Sequence, residues 1–325
     1  MLGSGILIKS LRQHSSARAN RTMAGDPHRS RTASPSPPNE SAVRFAPSVS
    51  VDVAGLTHRG LVRTTNEDNF SIGRLGRYFE TVDTSLPLSD LPRRADDAGY
   101  SLIVADGMGG HAGGELASRL AIREILRLAL ALPDWIAHIE DSTLEAAAAR
   151  SQSRIAALNE MVIERGQQDP DLRGMGCTLT AVRNLGRVLQ ISHVGDSRAY
   201  LLRDSGLHRL TRDHTYVQML VDSGQLSPEE ALTSRARHVL TNVIGGFDER
   251  VQVDVQRLPL ANGDRVLLCS DGLTDAVDDD VIRAVLTEMS TSKAACQALI
   301  DRALEGGGRD NITVIVAGYT WPDTD

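Results

Sequence analysis

Six short motifs, scattered between residues 66 and 311, carry the side chains with which this chain could do chemistry. They read NED at 66–68, ADGMGGH at 105–111, GDSR at 195–198, RDHT at 212–215, CSDG at 269–272 and RDN at 309–311. Five of them place an Asp or Glu where a hydrated divalent cation could be held. Any one alone is ordinary turn chemistry, since Asp beside Gly or Asn favours turns and helix caps. Together they call for another explanation, because several follow apolar runs that read as buried strands. A carboxylate at the mouth of a buried strand is held rigidly. Asp106 closes the run YSLIVAD and precedes Gly107, whose carbonyl can approach an ion because glycine has no side chain. Asp271 closes VLLCSD and is again followed by Gly, and Asp310 immediately precedes NITVIV. Mg²⁺ and Mn²⁺ prefer oxygen ligands and usually keep several waters, so they need carboxylates converging from separate loops. Three carboxylates expected at strand termini on one edge could converge on two such ions.

The elements that must position these residues follow from periodicity. Val49, Val51 and Val53 alternate with polar residues, which predicts a strand, and residues 100–106 read as a buried one. Residues 81–98, with prolines and mixed charge, read as an irregular surface insertion. GMGGHAGG then opens a helix on which Ala117, Leu120, Ala121, Ile125, Leu128, Ala129 and Leu132 share one face. A second helix is predicted over residues 142–168, then strands over CTLTAVRN and RVLQISHVGDSRAYLLRD, with a turn at Ser205-Gly206. Residues 211–247 are more polar and read as a flap with helices at 216–223 and from Ser227-Pro228, where Glu230 completes a capping pattern. Strands RVQVDVQRLPL and DRVLLCSDG, helices at 278–289 and 292–305, and the strand NITVIVAGY complete the chain. Strand runs interrupted by helix pairs indicate an α+β sandwich with sheets inside and helices outside.

Composition bounds the rest. Of 325 residues, 41% are hydrophobic but only 3% aromatic, so the core must be built from Leu, Val, Ile and Ala. A net charge of -7 argues against nucleic acid as a partner, since backbone binding needs a basic face. The three cysteines form neither a zinc pattern nor a disulfide framework, so a reducing, cytoplasmic setting is expected. No stretch approaches the roughly 18 to 20 apolar residues that span a bilayer, and GILI at 5–8 is too short for a signal-peptide core. Residues 1–48, rich in Arg, Ser and Pro, read as a disordered basic tail. Met23 offers an alternative start, and a transit peptide is the second reading of that segment.

RGLVRTTNEDNF, VADGMGGHAGGE, GCTLTA, HVGDSRAYLLRD, LTRDHT, LLCSDGLTD and GGRDNITVIV resemble, in order and spacing, the motifs of metal-dependent protein phosphatases of the 2C (PPM) type, most closely the bacterial branch that opposes eukaryotic-like Ser/Thr kinases. The resemblance covers about residues 50–318. It implies a four-layer αββα sandwich over residues 49–320, two central antiparallel sheets flanked by helix pairs. It also implies hydrolysis of phosphoserine and phosphothreonine in proteins by in-line attack of a metal-bridging water, with no covalent intermediate. Two Mn²⁺ or Mg²⁺ ions are implied, with a third possible.

Residue by residue, Asp106 matches the metal-bridging Asp and Gly107 the glycine whose carbonyl binds the second metal. Asp271 and Asp310 match the carboxylates completing the first metal site. Glu67 and Asp68 match the acidic pair that orients metal-bound water, and Arg63 the arginine that grips the substrate phosphate, whose oxygens its planar fork can meet bidentately. Asp196 matches the aspartate near a third metal, or instead braces its turn by pairing with Arg198. Animal members carry a His after the DG pair where this chain has Met108. The bacterial pattern offers His111, either as the acid that protonates the leaving oxygen or as a structural residue of the Gly-rich turn. Asp213 drops out as a ligand and marks the start of the flap. The implied partners are phosphorylated proteins and a cognate kinase, for a monomer acting without nucleic acid or membrane. A catalytically silent phosphoprotein-binding module, a role in an anti-sigma-factor switch and a place beside a secretion-system kinase are the other readings.

Overall fold

The structure, a computed structural model, describes residues 49–86, 94–109, 111–131 and 143–321, all within one compact unit of residues 45–325. The expected tail at 1–48 lies outside the described residues, as do residues 87–93 of the expected insertion.

Period-two alternation builds two five-stranded sheets. The first joins β1 (Ser50–His58), β8 (Arg198–Arg203), β9 (Gly206–Arg209), β12 (Arg265–Cys269) and β13 (Ile312–Thr320) in the order β1-β13-β12-β8-β9. The second joins β2 (Asn69–Glu80), β3 (Arg94–Ala105), β6 (Leu179–Leu185), β7 (Val188–Val194) and β11 (Asp254–Pro259) in the order β11-β7-β6-β3-β2. Every pairing in both is antiparallel.

Successive strand side chains point to opposite faces, so each inner strand feeds two apolar layers. Leu102 and Val104 of β3 meet Leu201, Val266, Leu268 and Ile315 in a core between the sheets. Ile103 and Ala105 of the same strand face the other way. There they pack on Ala117 and Ala121 of α1 (His111–Ala131) and on Ile155 and Leu158 of α2 (Leu144–Gln167). On the far side, Tyr200, Leu267, Cys269, Val314 and Val316 pack on α6 (Asp279–Glu288) and α7 (Ser292–Glu305). Three apolar layers between four structural ones make the expected αββα sandwich. Burial of each Leu, Ile or Val contributes about 1.5–3 kcal/mol. Apart from Tyr200 and Tyr319, the largest fully buried side chains are Leu, Ile and Met, as the scarcity of aromatics required.

Two local expectations are corrected. Residues 94–98 are not irregular: they extend β3, pairing Ala98 with Gly76 and Arg94 with Glu80. That extension is held by ladder pairing with β2, which leaves no apolar alternation to read. The β8–β9 turn is centred on Asp204 and Ser205, with φ of 49° and 64°, and Gly206 already belongs to β9. Asp tolerates this left-handed conformation because its short side chain can hydrogen-bond locally.

Residues 211–247 lie outside the three cores almost throughout. They carry α3 (Tyr216–Asp222), α4 (Pro228–Thr233) and β10 (Ile244–Gly245). At α4 the capping box predicted from sequence is present: Ser227 Oγ accepts from Glu230 N at 3.2 Å, and Ser227 N donates to Glu230 Oε2 at 2.9 Å. Among the described residues, no helix is long and apolar enough to cross a membrane.

Candidate metal centre

Strand order explains why distant motifs meet. β12 and β13 are antiparallel neighbours with Cys269 opposite Val314, so the chain leaving β12 at Ser270-Asp271 lies beside the chain entering β13 at Asp310-Asn311. Asp271 opens a single helical turn, α5 (Asp271–Thr274). Gly272 is required there, since a Cβ would sit 2.0 Å from Asn311 O. Ser270 locks the crossing: its N donates to Thr313 O at 3.0 Å, and its Oγ accepts from Thr313 N at 3.0 Å. The same Oγ donates to Asp68 Oδ2 at 2.7 Å.

Asn311 draws in the first motif. Its Oδ1 accepts from Glu67 N at 2.8 Å, and its Nδ2 donates to Arg59 O and Thr65 O, both at 2.9 Å. Asp106 arrives from the other sheet, at the end of β3. Its N donates to Thr178 Oγ1 at 3.0 Å and its carbonyl accepts from Thr178 N at 2.8 Å. That pair interrupts the expected strand CTLTAVRN, splitting it into β5 (Gly176–Cys177) and β6. After Asp106, β4 (Gly107–Met108) pairs with β5, and β5 with β10. The three carboxylates therefore come from strand ends of both sheets, not from one edge of one sheet.

These ends surround a cavity of about 870 Å³, lined among others by Glu67, Asp106, Gly107, Asp196, Asp271 and Asp310, with Arg63 and Met108. Arg63 Nη2 donates to Asp310 Oδ2 at 2.6 Å. Asp68 is buried just behind, on Ser270. His111 heads α1, next to the Gly-rich turn, and its side chain lies outside the described ones.

The donor set is almost entirely carboxylate oxygen, the chemistry of a hard dication. Burial above all, and then the charges of Asp271 and Asp310, pushes the carboxyl of Asp68 up to about 7 against the lowering effect of its Ser270 and Thr313 hydrogen bonds. Burial raises Asp106 well above the usual carboxylate range, reinforced by Asp68, Asp271 and Asp196. Asp196 is likewise pushed up, to about 8, by burial and then by Asp271. Asp68 Oδ1 and Asp271 Oδ1 are buried with no hydrogen-bond partner among the described residues. Buried polar atoms left so are costly, and a divalent cation held among these carboxylates would reduce that cost. The residues present thus fit divalent metal.

The alternative pairing of Asp196 with Arg198 does not form. Arg198 instead grips Asp213, with Nη2 2.8 Å from Oδ2 and Nε 3.2 Å from Oδ1, while Arg209 holds the same carboxylate from its other side. These arginines hold Asp213 below the usual carboxylate range despite its burial. Asp213 is thereby neutralised away from the cavity, and Asp196 is left facing it.

Three lining residues were missed by sequence reasoning. His238 comes from the flap, its Nδ1 3.6 Å from Asp271 Oδ2 and its Nε2 3.3 Å from Asp275 Oδ2. The Asp271 carboxylate beside it, and then Asp275, holds the imidazole above its ordinary range. Asp275 was legible, since it falls four residues after Asp271 and so one helical turn away. Arg237, beside His238, lines the cavity from the flap. Nothing in the spacing of the flap announces either of its two residues.

Two antiparallel sheets covered by helix pairs, with a carboxylate-lined cavity at their strand ends, define the class as an αββα sandwich with an acidic centre. Residues 82–305 match the Protein phosphatase 2C family. The chain is 39% identical over 273 residues to the serine/threonine protein phosphatase PstP of Mycobacterium tuberculosis, covering 81% of this chain and 44% of PstP. It therefore spans less than half the length of that relative. It is 34% identical over 260 residues to the serine/threonine phosphatase stp of Listeria monocytogenes, covering 80% of this chain and 92% of stp. The solved catalytic domain of PstP in complex with two manganese ions superposes with a TM-score of 0.63 at 35% identity, covering 84% of this chain and 99% of that one. The chain belongs to the protein phosphatase 2C family.

Proposed function

We propose that this chain is a metal-dependent protein serine/threonine phosphatase that hydrolyses phosphoserine and phosphothreonine directly. One observation carries the reading: Glu67, Asp106, Asp196, Asp271 and Asp310 share a cavity whose rim bears Arg63, while Asp68 and Asp271 keep buried oxygens unpartnered. In this reading Asp106, the Gly107 carbonyl, Asp271 and Asp310 hold two ions, and Glu67 and Asp68 act on them directly or through water. The two manganese ions of the PstP catalytic domain support that number. Bound there, Mn²⁺ or Mg²⁺ would supply Lewis-acid stabilisation and lower the pKa of water. Asp196 would hold an optional third ion.

The chain's own residues do the rest. Arg63, tethered to Asp310, meets the phosphate with a planar fork of donors. Thr178 fixes the backbone of Asp106, and Ser270 the carboxylate of Asp68, before substrate arrives, which is how a preorganised site avoids reorganisation cost. His111 is the proposed proton donor to the leaving oxygen. A cysteine route is disfavoured because Cys177, Cys269 and Cys296 are buried, and burial pushes the Cys269 and Cys296 thiols up to about 12. The partners in this reading are phosphoproteins and a cognate kinase in the cytoplasm, met by a monomer over residues 49–320, with 211–247 as flap.

The test is hydrolysis of a small aryl phosphate and of a phosphothreonine peptide, with Mn²⁺ and with chelator. Mn²⁺-dependent release from both is expected. Activity that survives chelation sinks the reading, and peptide binding without release favours a catalytically silent module.

A further inference from the structure

The RDHT motif contributes nothing to the cavity wall, yet its histidine is held at both ring nitrogens and at its backbone N and O. His214 takes hold of Gly195, the residue before Asp196, from two sides: its N donates to Gly195 O at 2.7 Å, and its Nδ1 accepts from Gly195 N at 3.1 Å. Asn242, where the flap returns to the core, also donates to that Nδ1, from Nδ2 at 2.8 Å. The orientation of the Asn242 amide is set independently, because its Oδ1 accepts from Gln252 N at 3.1 Å and its Nδ2 donates to Gln252 O at 2.8 Å. With Nδ1 occupied as an acceptor, the ring proton sits on Nε2, which donates to Asp254 Oδ2 at 3.2 Å on β11.

The backbone repeats the same junction. Thr241 N donates to His214 O at 2.8 Å, Tyr216 N to Val239 O at 2.8 Å, and Thr215 bridges Leu240. The two roots of the flap are thus zipped together at His214. From the returning root project Arg237 and His238, which line the cavity. On the opposite side, Gly195 is held at φ +107° with no room for a Cβ, which would lie 2.6 Å from Thr178 Cβ. Thr178 is the residue that fixes Asp106.

We propose that His214 is a positioning residue that clamps the flap to the Gly195-Asp196 turn, so that Asp196 and the flap side chains Arg237 and His238 face the same cavity. The inference rests on the metal-phosphatase reading and deepens it. It assigns the RDHT motif to substrate engagement and to the optional third ion.

The test compares His214→Ala, His214→Asn and Asn242→Ala, each assayed on a small aryl phosphate and a phosphothreonine peptide across a Mn²⁺ titration. Displacing a positioning contact costs on the order of 10- to 100-fold. H214A is expected to raise the peptide KM and the Mn²⁺ concentration for half-maximal rate by that order, with aryl-phosphate kcat at saturating Mn²⁺ unchanged. Asn Oδ1 occupies the place of His Nδ1, so H214N should restore most of both losses. N242A, which releases only the flap, should raise the peptide KM alone, and this holds the inference to account even if H214A does not fold. Parent-like H214A or N242A, an H214N as impaired as H214A, or equal loss on both substrates alongside a lowered thermal transition would each overturn it. A parent chain without Mn²⁺-dependent hydrolysis overturns the phosphatase reading and the inference with it. An active parent with unaffected variants overturns the inference alone.

Discussion

Arg63 Nη2 lies 2.6 Å from Asp310 Oδ2, so the cation at the cavity rim is held by a carboxylate of the cavity wall. The side chains are 54% and 34% exposed, and an exposed ion pair of this kind contributes little to stability. Its value lies in aiming the guanidinium inward. Arg63→Ala should therefore leave the thermal transition nearly unchanged and lower kcat/KM for phosphopeptide by about 100-fold, mostly through KM if the contact forms in the ground state. Arg63→Lys should recover only part, because an ammonium cannot present two parallel donors. An unchanged KM in both variants would remove Arg63 from phosphate binding.

Asp271 combines a buried, unpartnered oxygen with repulsion toward Asp68, Asp106, Asp196 and Asp275. Asp271→Asn removes that repulsion, so in chelator the variant should melt higher than the parent. Metal should act unequally on the two proteins. A ligand at 100 times its Kd stabilises by about 2.7 kcal/mol, or roughly 5–10 °C for a domain of this size. The parent should show such a rise with Mn²⁺ and D271N little or none, alongside loss of Mn²⁺-dependent hydrolysis. Calorimetric scans with and without Mn²⁺ read both differences, and an equal Mn²⁺-induced rise in D271N would take Asp271 out of the metal site.

What the sequence made legible follows a physical rule. Asp106 and Asp271 could be picked out because each ends an apolar run whose burial is forced, and α4 because Ser227, Pro228 and Glu230 satisfy helix-end donors locally. Arg94–Ala98 escaped because the pairing with β2 is a backbone property and RADDA carries no alternation. Asp213 drops out as a ligand already in the sequence, and the structure gives the physical reason: Arg198 and Arg209 close on it, a contact set by the β8–β9 hairpin and its exit. His238 was invisible for a different reason. It meets Asp271 only because the roots of the flap join at His214, a long-range relation that no local spacing encodes.

The centre also sets how the metal-free protein responds to pH. Asp68 and Asp196 are raised from 3.8 to about 7 and about 8, chiefly by burial, and Asp106 is raised as well. A carboxyl with a raised pKa binds more protons folded than unfolded, so its stability is fully present below about pH 4 and lost as pH climbs through the folded value. His193 runs the other way: burial lowers it from 6.5 to about 4, so its contribution is lost as pH falls between those values. Between about pH 4 and 6.5 the histidine offsets one of three carboxyls, and above 6.5 the carboxyls act unopposed. In chelator the thermal transition should fall from pH 6.5 to 8, and saturating Mn²⁺, which binds the deprotonated forms, should flatten or reverse the slope. A metal-free transition that rises over that interval would contradict the assigned burial of these groups.

Glycine 114 gives the sharpest steric test. It lies in the first turns of α1, where a Cβ would stand 2.0 Å from Glu67 Oε2, and Gly107 opposite has equally little room, 2.2 Å from Gly114 O. Ser118 Oγ, one turn further on, donates to Glu67 O at 2.6 Å, so α1 seats the Glu67 backbone while Gly114 clears space for its carboxylate. In a helix, Gly→Ala ordinarily stabilises by about 1 kcal/mol, whereas here the added methyl must push Glu67 aside. Gly114→Ala should lower melting in chelator, because the methyl would stand 2.9 Å from the Gly107 backbone carbon as well as against the flexible Glu67 carboxylate, and strain against backbone outweighs the gain in helix propensity. Its Mn²⁺ requirement should rise by about tenfold or more, since a ligand-orienting group held near an ion is sensitive to small displacements. Melting curves and Mn²⁺ titrations on the same preparation separate the two effects. A variant with unchanged Mn²⁺ dependence would show that Glu67 takes no part in holding the metal.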